Sequence, residues 1–235
     1  MTSKLTRCVA LSALAVSALS AGSAMAQNAL SFNVGAVSDY RYRGLSQSNL
    51  KPVLQGGVDY AHGSGLYAGA WASGIKWLEN SSVELDVYGG YKGEITKGLG
   101  FDVGVLRYQY EGTSAAGTTE VYGALSYGMF TAKYSRSTTN LFGTADSKGS
   151  AYIDLSATVD LGNGLTLVPH VGRQIVENNS AFSYNDYALS LTKDFGKGLS
   201  ATVSYVDVSK NLASSFTSTK NMGPARLVAG VKYSF

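Results

Sequence analysis

From Val83 to Tyr91 the chain alternates. Val83, Leu85, Val87, Gly89 and Tyr91 take the odd positions, and Glu84, Asp86, Tyr88 and Gly90 the even ones. A period of two puts the two sets on opposite faces of an extended strand. Ile153, Leu155, Ala157, Val159 and Leu161 alternate in the same way with Tyr152, Asp154, Ser156, Thr158 and Asp160. So do Leu227, Ala229, Val231, Tyr233 and Phe235 with Arg226, Val228, Gly230, Lys232 and Ser234. One face is apolar, and the other is polar, small or charged. Helices are disfavoured here, because glycines recur every few residues and each costs about 1 kcal/mol relative to Ala inside a helix.

The punctuation between strands is regular. Gly-rich turns fall at His62-Gly63-Ser64-Gly65, Thr96-Lys97-Gly98, Tyr127-Gly128-Met129, Gly162-Asn163-Gly164 and Gly196-Lys197-Gly198. Two of them share a phrase, Asp160-Leu161-Gly162-Asn163-Gly164-Leu165 and Asp194-Phe195-Gly196-Lys197-Gly198-Leu199. A spacing of about 32 to 34 residues reads as one β-hairpin per period, with a tight turn at one end and a longer loop at the other. The longer connections, rich in Ser, Thr, Asn and Gly, include Arg41 to Lys51, Glu111 to Thr118, Ser137 to Gly149 and Asn211 to Gly223. This predicts twelve strands, from Ala29–Tyr40 to Pro224–Phe235, with both termini on the short-turn side.

Composition enters through the first residues. Lys4 and Arg7 precede an apolar run from Val9 to Ala21, and Ala24-Met25-Ala26 follows. The run suits the core of a secretory signal and falls short of the ~20 residues of a spanning helix. Residues 1–26 are therefore expected to be a cleaved signal, with residues 27–235 forming one domain. Cys8, the only cysteine, would leave with it, and the formal charge would fall from +3 to +1, so no electrostatic partner and no nucleic acid is implied.

An even strand count with short turns opposite long loops predicts an all-β transmembrane fold, an antiparallel up-and-down β-barrel of about twelve strands. In lipid every backbone polar group must be paired internally, so a sheet has to close on itself. The apolar face then points outward. Aromatic girdles are expected from Tyr60, Tyr67, Tyr91, Phe101, Phe130, Phe195 and Tyr233 near the short turns, and from Tyr40, Trp77, Tyr108, Tyr134, Tyr184 and Tyr205 toward the loops. Arg107, Arg136, Arg173 and Asp207 fall on the outward face close to the loops, where arginines are placed either to be solvated or to meet lipopolysaccharide phosphates. The terminal Tyr233-Ser234-Phe235 resembles the C-terminal signal that the barrel-assembly machinery reads in outer-membrane barrels.

A denser resemblance begins in the first hairpin. Ser38-Asp39-Tyr40, Arg43-Gly44-Leu45-Ser46-Gln47-Ser48, Pro52, Gln55-Gly56, Asp59-Tyr60 and Gly65-Leu66-Tyr67-Ala68-Gly69 are similar to the opening of the TorF-like porin family. Glu84-Leu85-Asp86-Val87-Tyr88-Gly89-Gly90-Tyr91 continues it. The resemblance implies a Gram-negative outer-membrane barrel of porin type, a fold and a cell-outer-membrane location rather than a substrate.

Function is then sought in the lumen. Strand parity makes Asp39, Gln55, Asp59, Glu84, Asp86, Asp102, Glu120, Lys133, Asp154, Asp186, Arg226 and Lys232 the candidate pore-lining set, with Arg41 and Arg43 of the first loop at the mouth. Charges on a face that lipid never sees indicate water, and water through a barrel is a pore. Acids outnumber bases in this set, which predicts cation preference. Passive diffusion of small hydrophilic solutes needs no cofactor and no catalytic residue. A non-conducting anchoring barrel and an outer-membrane lipid-modifying enzyme are the rival readings. The enzyme would need a serine with a base in reach, and only His62 and His170 are on offer. His62-Gly63-Ser64 sits in a tight turn, where turn chemistry accounts for its residues.

Overall fold

The computed structural model describes residues 28–210 and 222–235. The expected signal over residues 1–26 and most of the loop expected from Asn211 to Gly223 lie outside the described residues. Twelve strands make the wall: β1 Ala29–Val37, β2 Val53–Ala61, β3 Leu66–Gly74, β4 Val83–Thr96, β5 Leu99–Tyr110, β6 Thr118–Tyr127, β7 Phe130–Ser137, β8 Ala151–Ala157 continued after Thr158 by Val159–Gly162, β9 Leu165–Ile175, β10 Tyr184–Gly196, β11 Leu199–Val208 and β12 Arg226–Ser234. Each strand pairs antiparallel with the next. β1 also pairs with β12, from Asn33 against Ser234 to Val37 against Gly230, so the sheet closes as the alternation predicts. Among the described residues helix is limited to two short 3-10 turns, Leu141–Gly143 and Ser180–Phe182.

The duplicated turn phrase has a mechanical reason. At each copy the ladder slips, between Asp160 and Gly162 and between Asp194 and Gly196. Such a bulge takes a backbone N–H out of the ladder, and that donor still needs a partner. Gly162 N–H donates to Asp160 Oδ1 at 2.8 Å, and Gly196 N–H to Asp194 Oδ1 at 2.7 Å. Asn163 and Gly164 follow with φ of 52° and 73°, and Lys197 and Gly198 with 54° and 85°, a pair of left-handed residues that matches strand twist in a tight hairpin.

The wall is inside out by the standard of a soluble protein. Leu30, Leu54, Phe130, Phe195, Leu227 and Phe235 are 60% or more exposed, while Glu84, Asp86 and Glu120 are 2–3% exposed. An apolar band this extensive would drive association in water and is suited to hydrocarbon. Among the described residues no helix is long and apolar enough to cross a membrane.

Inside, glycines seat tyrosines. Gly69 stands opposite Tyr88, Gly90 opposite Tyr67 and Gly104 opposite Tyr122. A Cβ on Gly69 would fall 2.6 Å from the Tyr88 ring, and one on Gly104 would fall 2.5 Å from the Tyr122 hydroxyl. With no side chain beneath it, each ring can lie against the wall. The abundance of glycine and tyrosine, 28 and 16 residues, thus owes something to a single packing device that needs both.

The girdle assignments divide. Tyr60, Tyr91, Phe130, Phe195, Tyr233, Tyr134 and Tyr205 are exposed on the outer wall, and Phe101 packs on Tyr91 at 5.6 Å. Tyr40, Trp77, Tyr108 and Tyr184 are buried, and Tyr67 hydrogen-bonds into the lumen. Tyr108 shares its parity with Asp102 and so faces inward with it. Tyr40 and Trp77 lie past the strand ends at Val37 and Gly74, where the chain folds back over the lumen. There Phe142, held at φ 46°, packs edge-on to Tyr42 and Tyr108, each at 5.3 Å, and closes an aromatic cluster with Trp77 and Tyr110.

Candidate functional site

The first loop does not stay outside. Between β1 and β2 a small ribbon pairs Arg41–Tyr42 with Leu45–Ser46, turned by Arg43 at φ 46° and Gly44 at φ 81°. Asp39 fixes its base, accepting from Arg41 Nε at 2.6 Å, Ser46 Oγ at 2.5 Å and Ser48 Oγ at 3.1 Å. A Cβ on Gly44 would meet Val208 on β11 and, at 2.8 Å, Asp186 on β10, so the turn rests against those strands. Arg43 completes the crossing. Its guanidinium donates to Glu120 Oε2 on β6 and to Gln174 Oε1 on β9, each at 2.7 Å, and lies 4.1 Å over the Tyr152 ring of β8. Burial disfavours the charge on Arg43, but Glu120 and the Tyr42 and Tyr108 hydroxyls around it more than offset this and hold its pKa well above the ordinary value. Both first-loop arginines therefore fold inward.

Below this hairpin lies a cavity of about 270 Å³, bordered mainly by β8 to β12 and β1 and reaching Tyr108 on β5 and Tyr122 on β6. It extends from Thr166 and Ser200, next to the short turns, to Glu120 and Asp186 under the hairpin. Its long wall, from β8 to β12, is mostly hydroxyls and small side chains, including Ser156, Ser190, Thr192, Thr202 and Ser204. Cross-strand pairs hold some of these in place, Ser190 with Ser204 at 2.7 Å and Thr192 with Thr202 at 3.0 Å.

The candidate lining residues fall into three groups. Asp39, Gln55, Glu120, Lys133, Asp154, Asp186 and Lys232 line this cavity, as do Arg41 and Arg43. Asp59, Asp102, Glu84 and Asp86 sit on the opposite side among packed rings. Tyr88 donates to Asp59, Tyr67 to Asp102 at 2.5 Å, and Tyr40 to Glu84 at 2.5 Å. Arg226 is exposed at the loop end of β12. Of the charged groups that line the cavity, four are acids (Asp39, Glu120, Asp154, Asp186) and four are bases (Arg41, Arg43, Lys133, Lys232). The acid excess read from strand parity is absent from the cavity, because Asp59, Glu84, Asp86 and Asp102 lie outside its lining and the entering loop adds Arg41 and Arg43.

His170 belongs to this wall. Its Nε2 lies 3.0 Å from Asp186 Oδ1 and its Nδ1 3.7 Å from Asp154 Oδ2, and the Tyr152 hydroxyl joins both His170 and Asp186. Ser156 stands opposite His170 across the ladder, but the imidazole nitrogens are turned to the carboxylates. In the short turn His62 Nδ1 and Ser64 Oγ are 2.8 Å apart, exposed, with the Ser64 N–H also donating to Nδ1 at 3.2 Å. That is the geometry of a side-chain-supported turn. Sequence reasoning missed Tyr152, Gln174 and the hydroxyl wall. Strand parity held the signal, since Ser156 shares a face with Asp154, and Ser190 with Asp186.

A family model described as "Bacterial protein of unknown function (Gcw_chp)" matches residues 21–235. No curated protein matches the chain. Among solved structures it is similar to the KdgM porin, at 10% identity with a TM-score of 0.60, over 87% of this chain and 99% of that one. A second KdgM structure, described as in complex with disordered oligogalacturonate, gives 9% identity and 0.59 over 88% and 98%. The NanC porin gives 12% and 0.58 over 88% and 99%. At these identities the likeness is one of fold.

Proposed function

This chain belongs to the Gcw_chp family, and we propose that it is a porin-like channel of the outer membrane for passive diffusion of small hydrophilic solutes. The observation that carries the reading is the cavity, set with hydroxyl and charged side chains, that follows the β8–β12 wall from the short turns to the Arg43 hairpin, inside a closed barrel with an apolar outer face. Selection then rests on the width left beside the hairpin and on the lining charge, without energy input. The neighbours lend the architecture. The oligogalacturonate of the KdgM complex is an acidic ligand, whereas the charges lining this cavity are balanced.

Export through a cleaved signal over residues 1–26 and insertion by the barrel-assembly machinery through β12 belong to the same reading. The TorF-like resemblance of the opening hairpin supports it. On the outer face Phe235, 65% exposed, stacks on Tyr233 and Phe32 at 5.6 and 5.8 Å, in keeping with an aromatic girdle near the short turns. One observation favours a second reading, a non-conducting anchoring barrel, because the hairpin is latched across the mouth. Single-channel recording of the refolded chain in a planar bilayer separates the two. Stepwise current supports the channel, and a folded, inserted barrel without current sinks it.

A further inference from the structure

Three arginines stand on the outside of the barrel. Arg107, Arg136 and Arg173 share a face with Val105, Tyr134 and Val171, all exposed, on β5, β7 and β9. Each lies close to the loop end of its strand. The ladders fix their relative height. Arg107 pairs with Thr119, whose carbonyl accepts from Thr138 N–H just past β7, and Arg136 lies two residues short of that rung. Arg136 pairs with Ala151, Ala151 pairs with Ile175, and Arg173 again lies two residues short. Two residues of rise, about 6.6 Å, over two strand spacings, about 9.6 Å, is the slope of a strand tilted about 35°. Membrane barrels have that tilt. The three positions therefore share one level on the outer wall, spaced ~12 Å apart.

None of the three has a carboxylate partner among the described residues, where the ion pairs are those of Arg41, Arg43 and His170. Arg107 donates to the neutral Thr119 Oγ1 and Arg173 to the neutral Asn185 Oδ1, each at 3.0 Å. A guanidinium carries five N–H donors, so these contacts orient the group and leave most of its donors free. The next position along the same ladder step is an acid, Asp207 on β11, whose Oδ1 accepts from Val208 N–H, so the belt ends there; the outer wall elsewhere is different in kind, with Leu54 on β2, Leu85 on β4 and Leu227 on β12 exposed and apolar. A cation facing lipid is costly in hydrocarbon and tolerated at the interface, where an anion can meet it. The level of the belt, beside the long loops, is the outer-leaflet interface.

We propose that this belt binds the phosphates of a phosphorylated glycolipid of the outer leaflet, the lipopolysaccharide of a Gram-negative cell, and so presents the β5–β9 face to anionic lipid. The proposal rests on the outer-membrane reading above. A planar guanidinium fork matches phosphate oxygens, and a headgroup with more than one phosphate engages neighbouring arginines together.

The test titrates the refolded chain with purified lipopolysaccharide and with the same material after dephosphorylation, and follows binding by surface plasmon resonance. Dephosphorylation, and separately the triple variant Arg107→Gln, Arg136→Gln, Arg173→Gln, are each expected to weaken binding by about tenfold or more. Arg→Lys at all three positions should recover some of the loss, since charge returns without the fork. Equal binding of both lipid forms by the unmodified chain overturns the proposal without recourse to a variant. Undiminished, phosphate-dependent binding by the triple variant moves the site elsewhere and also overturns it. Self-association abolished by the triple variant would assign the belt to a second copy and would overturn it as well. Single-channel current should be unchanged in the variant. Loss of insertion or current in the unmodified chain would instead strike the channel reading.

Discussion

The two sides of the lumen are built on the same strand period and filled in opposite ways. Along β2 to β6 the inward positions carry large rings seated over glycines, and phenols are engaged by carboxylates: Tyr88 by Asp59, Tyr67 by Asp102 and, from the first loop above them, Tyr40 by Glu84. Along β8 to β12 the inward positions below Tyr152, His170 and Asp186 are mostly small or hydroxyl-bearing, and the free space lies against them. Alternation alone decides which residues face inward. Side-chain volume at those positions decides whether the lumen is wall or passage. The barrel thus places its cavity off-centre, and the hairpin of Arg43 reaches from the packed side across the mouth of the open one.

The largest effect is expected from filling the open side. Ser204→Trp places an indole in a cavity of about 270 Å³. It should remove about half or more of the single-channel current. Tyr88→Ala, on the packed side, should leave the existing passage intact. Full current in Ser204→Trp would put the conduction path elsewhere and break the comparison.

The latch comes next. The Arg43 and Glu120 side chains are 6% and 3% exposed and meet at 2.7 Å. Removing one partner of a buried pair strands the other charge, so Glu120→Ala should cost about 3–5 kcal/mol in urea unfolding if the hairpin stays in place. Adding Arg43→Ala should return some of that cost, and current should rise as the crossing is lost. A double variant no more stable than Glu120→Ala would mean that the pair is not what holds the hairpin.

The barrel itself was legible from residue order. Alternation gives strands, the Asp-x-Gly-x-Gly phrase gives turns, and their spacing gives the number of hairpins, because each of these is a local property. Parity places Asp154, Asp186, Glu120 and Lys133 on the inward face, where they border the cavity, but it does not separate them from Asp59, Asp102, Glu84 and Asp86, which pack among rings, or from Arg226, which is exposed. What parity does not carry is the path of a loop. Arg43 reaches Gln174 across 131 residues of sequence, and its inward turn depends on a wall that exists only once the barrel is closed. The girdle assignments failed at Tyr40, Tyr67, Trp77, Tyr108 and Tyr184 for a related reason. An aromatic near a strand end suits the interface or the lumen equally by type, and only the face, or the fold-back past the strand end, tells them apart.

Glycine seating offers a smaller contrast. Gly69→Val pushes branched methyls into the Tyr88 ring, where even a Cβ falls 2.6 Å from it. Overpacking of this kind costs about 1–3 kcal/mol. Ala188→Val, which faces the cavity, should change stability by less than about 0.5 kcal/mol. Equal costs at the two positions would mean that the packed side has slack that the ring contacts do not suggest.

The smallest effects test whether the two sides differ in water as well as in volume. Tyr88→Phe removes the donor to Asp59 on the packed side, and a carboxylate that loses its partner among rings should cost about 1–3 kcal/mol. Ser190→Ala removes one member of the 2.7 Å pair with Ser204, both of which line the cavity. There a water molecule can take the vacated place, so the expected cost falls below about 0.5 kcal/mol. Urea unfolding of the two variants in the same detergent gives the difference directly. Near-equal losses would mean that the hydroxyl side is as dry as the tyrosine side, and a dry cavity of small hydroxyls cannot pass hydrophilic solutes.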